Sequence, residues 1–208
     1  MHKLWNVLLF PARLYEKLTD NKATLIAGII LVGLIDFFMP DPDKIYKAYF
    51  TNALGKSAAD IQWNIAAAVF IILFLGLIDV IFFSIPLYDI FKFFKKKEGQ
   101  PHQATAIKVI KAYIMSHFLI IPVSEILHFT VFRHITQNSS NSEIVIAEVL
   151  FLLIMVWTAA VVTRGINSLF KPGFIFRRFT FLIVFIWNYL IIMVFDFQIL
   201  NWLFKLLK

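Results

Sequence analysis

Nine polar side chains fall inside or beside long apolar stretches of this chain: Asp36, Asp79, His117, Glu125, His128, Glu148, Arg164, Asn188 and Asp196. A charge at the centre of a bilayer costs about 2.5–3.5 kcal/mol on insertion scales, so such groups usually have a partner or a task. Glu125 and His128 are three residues apart and share a helical face. With Asp36, Glu148 and Asp196 near the same depth, they could bind a divalent cation or relay protons. Di-iron bundles repeat Glu-x-x-His and add two further glutamates; here the motif occurs once. Two readings stay open for this outer group: a metal site at Glu125 and His128, or carboxylates wetted by the headgroup zone. Asp79, His117 and Asn188 lie deeper. Asp36, Asp79, His117 and Glu148 are the candidates for an ion or proton path. Paired with His117 or Asn188, Asp79 would instead be structural.

The elements that must position these groups are five apolar runs, approximately 23–39, 65–83, 107–131, 144–162 and 176–199. A run of about 18 or more apolar residues is long enough to cross a bilayer as a helix. Lipid offers no hydrogen-bond partners, so each crossing must satisfy its own amides, as a helix does. The chain has 208 residues, 60% of them hydrophobic, against about 45–50% in soluble domains. The spans and short loops use nearly all of it, which predicts one all-α membrane domain over 1–208. No cysteine is present, which excludes disulfides and thiolate metal sites. Residues 1–22 lack the apolar core and small-residue site of a cleaved signal, so the first span is expected to direct insertion.

Lysine and arginine are retained on the cytoplasmic side of membranes. With five spans, fourteen of them fall on one side and six on the other. The N-terminus is therefore expected in the cytoplasm and the C-terminus outside. Lys95, Lys96, Lys97, Arg177 and Arg178 sit beside span ends, where they would meet anionic headgroups at roughly 1 kcal/mol per charge. That reading is preferred to nucleic-acid binding, and Arg164 is expected to snorkel to the same headgroups. Leu4, Val7, Leu8, Leu14, Tyr15 and Leu18 share one helical face, with Asn6, Arg13, Glu16 and Lys17 opposite. Pro11 suits a first helical turn. Residues 4–18 thus read as an interfacial amphipathic helix, anchored through Leu8, Pro11, Leu14 and Leu18.

Smaller features complete the reading. Met39-Pro40-Asp41-Pro42-Asp43 stops the first span. Ile45, Tyr46, Tyr49 and Phe50 suggest a second interfacial helix, and Trp202, Leu203, Phe204 and Leu206 a C-terminal anchor. Asn138-Ser139-Ser140 is a glycosylation-type triplet. Span two is expected to continue through Ser84 and Pro86 to Phe94, bent at the proline, and Pro122 to kink span three. Gly33-Leu34-Ile35-Asp36 is echoed by Gly76-Leu77-Ile78-Asp79 in an oppositely directed span. Inverted pairs occur in transporters, but these residue types are common in any span, and chance is the preferred account. Ala66-Ala67-Ala68 and Ala159-Ala160 offer the small residues for close helix packing. There is no His-Glu-x-x-His, no Gly-x-Ser-x-Gly and no glycine-rich phosphate loop.

Phe10-Pro11-Ala12-Arg13 with Leu18, closely followed by the first of five spans, resembles the bacterial branch of the Yip (Ypt-interacting-protein) family. The resemblance covers most of the chain in layout. It implies five membrane helices, a cytoplasmic N-terminus, an external C-terminus and a non-enzymatic role, such as membrane organisation. Eukaryotic members carry Asp-Leu-Tyr-Gly-Pro; Pro86-Leu87-Tyr88-Asp89 does not match it. Their long cytosolic N-terminal region is also missing, so binding of Rab-type GTPases is not carried over. The reading is a scaffold or membrane-organising protein of the bacterial inner membrane. Its partners would be the bilayer, anionic headgroups and a second copy or another membrane protein; no cofactor is named. The alternatives are a small ion- or proton-coupled transporter and a metal-dependent membrane enzyme.

Overall fold

The apolar runs fold as helices: 23–39 and 107–131 within a residue of their expected bounds, 65–83 and 144–162 as parts of longer helices. The computed structural model describes residues 6–38, 58–97, 104–135 and 139–194. Residues 6–8 are helical. They are followed by α1 (Ala12–Glu16), α2 (Lys22–Phe38), α3 (Ala58–Lys97), α4 (Ala106–Thr130), a single 3₁₀ turn at Phe132–His134, α5 (Asn141–Phe170) and α6 (Phe174–Val194). No strand occurs among the described residues. Four helical segments are long and apolar enough to cross a membrane: Ile65–Lys96, Ala106–His134, Asn141–Phe170 and Phe174–Val194. Large apolar side chains stand exposed along them, among them Phe70 at 67% and Leu153 at 57%. In water such surfaces would aggregate; in hydrocarbon they are solvated.

Local chemistry sets the helix ends. The Thr105 hydroxyl accepts from the Lys108 amide at 3.3 Å and starts α4. Ser140 and Glu143 form a reciprocal capping box at the start of α5, with the Ser140 amide donating to the Glu143 carboxylate at 2.8 Å. Lys171, at φ 47°, closes α5 in the left-handed conformation. Pro172-Gly173 then prevents continuation. Both α3 and α4 run unbroken through Pro86 and Pro122. The expected features at Met39–Asp43, at 45–50, at Asn138 and at 202–206, and also Asp196, lie outside the described residues.

The chain forms two compact units, Asn21–Phe82 and Met1–Asp20 with Phe83–Lys208. In the first, α2 and the N-terminal part of α3 cross at Gly33 and Gly76. A Cβ on Gly33 would strike the carbonyl oxygen of Ile72 and lie 3.0 Å from the Gly76 amide nitrogen. A Cβ on Gly76 would strike the Ile29 carbonyl oxygen and lie 2.6 Å from the Gly33 nitrogen. Moving back from Gly33 to Ile29 moves the contact forward from Ile72 to Gly76, so the two helices are antiparallel. Both glycines of the repeated Gly-Leu-Ile-Asp sit at this crossing. At this crossing, close approach is supplied by glycine.

In the second unit, α3 from Phe83 onward runs antiparallel to α6. Trp187 Nε1 donates to the Phe83 carbonyl at 3.0 Å, and the Phe94 and Phe176 rings stack at 4.7 Å. Phe83 also stacks on Tyr113 of α4 at 3.8 Å, and Phe91 meets Phe170 of α5 at 5.8 Å. Helices α4, α5 and α6 pack in sequence.

Replacing Gly33 or Gly76 by valine should destabilise the protein by about 3 kcal/mol or prevent folding, because backbone atoms cannot yield as side chains do. Ala66→Val, at an exposed site on α3, should melt within about 0.5 kcal/mol of wild type. Thermal melts in detergent check both.

Candidate functional site

The sequence-predicted polar groups divide between the two units. Asp36 is half-buried and Asp79 is 5% exposed; each lies one turn beyond its crossing glycine. His117, on α4, places Nδ1 3.2 Å from the Tyr113 carbonyl oxygen and its ring edge-on to Tyr113 at 4.6 Å. Glu125 and His128 are half-buried near the far end of α4, and Glu148 is exposed on α5. No group of three or more histidine, aspartate or glutamate side chains gathers with metal-binding geometry among the described residues. Asn188 is buried on α6, and its Nδ2 has no hydrogen-bond partner among the described residues.

The densest polar structure lies elsewhere, where the segment before α2 docks on α4 and α5. The continuous amphipathic helix expected over 4–18 does not form: the chain bends at Leu9, and Phe10 takes φ 57°. A left-handed non-glycine residue costs about 1–3 kcal/mol, so the surroundings must hold it. They do so through hydrogen bonds to backbone. Trp157 Nε1 donates to the Leu8 carbonyl at 2.6 Å. The Tyr15 hydroxyl lies 3.2 Å from the Leu9 carbonyl oxygen and 3.3 Å from that of Val161, and its one proton can serve either. Lys111 Nζ donates to the Thr19 carbonyl at 2.6 Å, and the Thr105 hydroxyl donates to the Asp20 carboxylate.

Tyr15 is the deepest of these anchors, with no exposed surface. Its seat is made by Gly165, where an added Cβ would stand 3.0 Å from both the Tyr15 ring and the Ala112 Cβ. Burial pushes the Tyr15 hydroxyl well above the ordinary tyrosine range, and the Arg164 cation pulls weakly the other way. The other members of the expected apolar face behave differently: Leu8 and Leu14 are exposed and Pro11 and Leu18 half-buried.

The cationic residues also divide. Arg164 donates from Nη2 to Asn6 Oδ1 of the docked segment at 2.6 Å. Lys95 is 4% exposed, and its ammonium holds the Lys171 carbonyl at 2.9 Å, on the negative end of α5. Lys96, Arg177 and Arg178 are exposed, the last placed 4.2 Å over the Phe174 ring; the Lys97 side chain is outside the described set.

Between the docked segment, α5 and α6 lies a cleft of about 760 Å³, within the roughly 300–1,000 Å³ of small-ligand sites. One side is apolar, with Leu9, Ala160 and Phe181. The other carries Arg164, Lys171 and Arg177 against a single carboxylate, Glu16, which lies 3.7 Å from Lys171. On its floor, Thr163 Oγ1 and Asn167 Oδ1 are shut from solvent with no hydrogen-bond partner among the described residues. Sequence reading passed over Thr163 and Asn167. Their signal was a polar stripe on an apolar helix: Thr163, Arg164, Asn167, Ser168 and Lys171 fall three or four positions apart on one face. Compared with protein-family models, curated proteins and solved structures, the chain matches none.

Tyr15→Phe should cost about 1 kcal/mol, the net worth of a hydrogen bond, and Tyr15→Ala about 3–5 kcal/mol. In the unfolded chain tyrosine ionises near pH 10; in the folded chain Tyr15 resists it. Its stabilisation is therefore complete below about pH 10 and is lost as pH rises beyond that point. Trypsin cleavage at Arg13 and Lys17 should accelerate above pH 10 in wild type. In Tyr15→Phe, which has no hydroxyl to ionise, that acceleration should shrink.

Proposed function

We propose that this chain is a non-enzymatic multi-pass protein of a cell membrane that organises the bilayer or scaffolds membrane partners, and that it sits beside the bacterial Yip branch. It has five spans in this reading. Helix α2, 17 residues long, is about 25 Å at 1.5 Å per residue, and its sequence is apolar enough to supply the fifth. The N-terminus is cytoplasmic and the C-terminus external. The supporting pattern is the gathering of Lys96, Lys108, Arg164, Lys171, Arg177 and Arg178 at the end of the bundle where residues 6–20 dock. Retained basic residues mark the cytoplasmic face.

The observation that carries the scaffold role is the docked segment. Its backbone is tied down by Trp157, Tyr15 and Lys111, while Val7 at 70%, Leu8 at 38% and Leu14 at 44% stay exposed. A rigidly held apolar ridge beside a basic surface suits a membrane interface or a second membrane protein. A second reading, ion- or proton-coupled transport, draws on Asp36 and Asp79 flanking the glycine crossing.

Reconstitution separates the two. In vesicles containing phosphatidylglycerol, the wild-type protein should change vesicle size or curvature. Leu8→Ser with Leu14→Ser should lose that effect, and Asp79→Asn should keep it. A cation or proton flux abolished by Asp79→Asn would replace the scaffold with the transporter. The cysteine-free chain also allows single-cysteine labelling. Cysteines at Gly173 and at Asn201 should react from opposite sides of the membrane.

A further inference from the structure

We propose that the cleft between the docked segment, α5 and α6 is a binding site for the phosphate headgroup of an anionic phospholipid. The inference rests on the chain being embedded in a membrane, and does not need the scaffold role.

Three features of the cleft point to this chemistry. The first is charge. The lining carries three cations, Arg164, Lys171 and Arg177, and one carboxylate, Glu16, which lies 3.7 Å from Lys171. Guanidinium groups match phosphate oxygens with paired N–H donors. Arg164 is pre-positioned, because Asn6 already holds one end of its guanidinium.

The second feature is the floor. The hydroxyl of Ser168 is committed to the Arg164 carbonyl at 2.8 Å. Thr163 Oγ1 and Asn167 Oδ1 have no partner among the described residues. An unmade buried hydrogen bond is costly, and two on one helical stripe, three and seven residues from Ala160, form a polar floor beneath the arginines. A phosphate oxygen would accept from the Thr163 hydroxyl, and a hydroxyl of the headgroup's glycerol would donate to Asn167 Oδ1.

The third is the apolar wall. Ala160, Leu9 and Phe181 line one side. Phe181 continues on α6 into exposed apolar surface at Phe174, Phe179 and Leu182. A soluble phosphate ester would have no use for such a wall. A lipid would lay its acyl chains along it while its head entered the cleft. The site lies at the basic end of the bundle, at the level where headgroups meet the helices.

The test uses native mass spectrometry of the full chain in detergent, titrated with phosphatidylglycerol, phosphatidylcholine or inorganic phosphate. Phosphatidylglycerol should bind in preference to phosphatidylcholine, and millimolar phosphate should not displace it. Arg177→Gln should weaken phosphatidylglycerol about tenfold or more, as loss of a charge-assisted hydrogen bond does. Arg178→Gln removes the same charge one residue away, outside the cleft, and should change binding about twofold or less. Thr163→Val leaves net charge untouched. It should melt at or above wild type without lipid, having lost only an unsatisfied hydroxyl, yet bind phosphatidylglycerol several-fold more weakly. Equal losses from Arg177→Gln and Arg178→Gln, with Thr163→Val unaffected, would mean diffuse charge attraction and overturn the site. Displacement by inorganic phosphate would overturn the lipid as its ligand. Neither result touches the scaffold reading, which the vesicle experiment decides separately.

Discussion

Backbone that is not helical has no intrahelical partners for its carbonyls, and where it is pressed against a bundle other groups must supply them. Much of this structure follows from that constraint at Leu8–Thr19. The chain bends there, and its carbonyl oxygens face the bundle. Trp157 satisfies Leu8, Tyr15 can satisfy Leu9, and Lys111 satisfies Thr19. Each donor comes from a side chain with an apolar body and a polar tip, so the same residue fills space and closes a hydrogen bond. The position of α1 against α5, the burial of Tyr15 and the bareness of Gly165 all serve this arrangement.

The helices were legible because hydropathy reports membrane crossing directly. The run at 107–131 became α4 almost unchanged, and the run at 144–162 became α5, extended to its Ser140 cap and by two turns to Phe170. Which face of each helix turns inward was not legible. In lipid the outer face is as apolar as the core, so the contrast that betrays a buried stripe in a soluble helix is missing. Tyr15 therefore looked like one more member of an interfacial face beside Leu14, although one is sealed and the other exposed. Gly33 and Gly76 looked like ordinary span residues until their backbones were seen in contact.

The candidate site was hidden for a different reason. Charges at depth are the costly ones and stand out in a sequence, which favours Asp79 and Glu125. The cleft is built instead from neutral polar groups, Thr163 and Asn167, in the C-terminal part of α5, joined by arginines of the kind that beside a span suggest only headgroup contact. Orphaned polar atoms lower the stability of the empty protein. Sites kept at such a cost are commonly tied to function rather than folding.

Lys95 carries a consequence for how the protein is made. Orientation is settled while the chain is being inserted, when each lysine acts as an open cation near a span end. In the finished structure Lys95 is enclosed and its ammonium closes the carbonyl at the end of α5, as Lys111 closes that of Thr19. On the proposed cytoplasmic placement of this end, the two lysines would act in succession, first as biogenesis signals and then as rivets, and their enclosure would hold the topology against reversal.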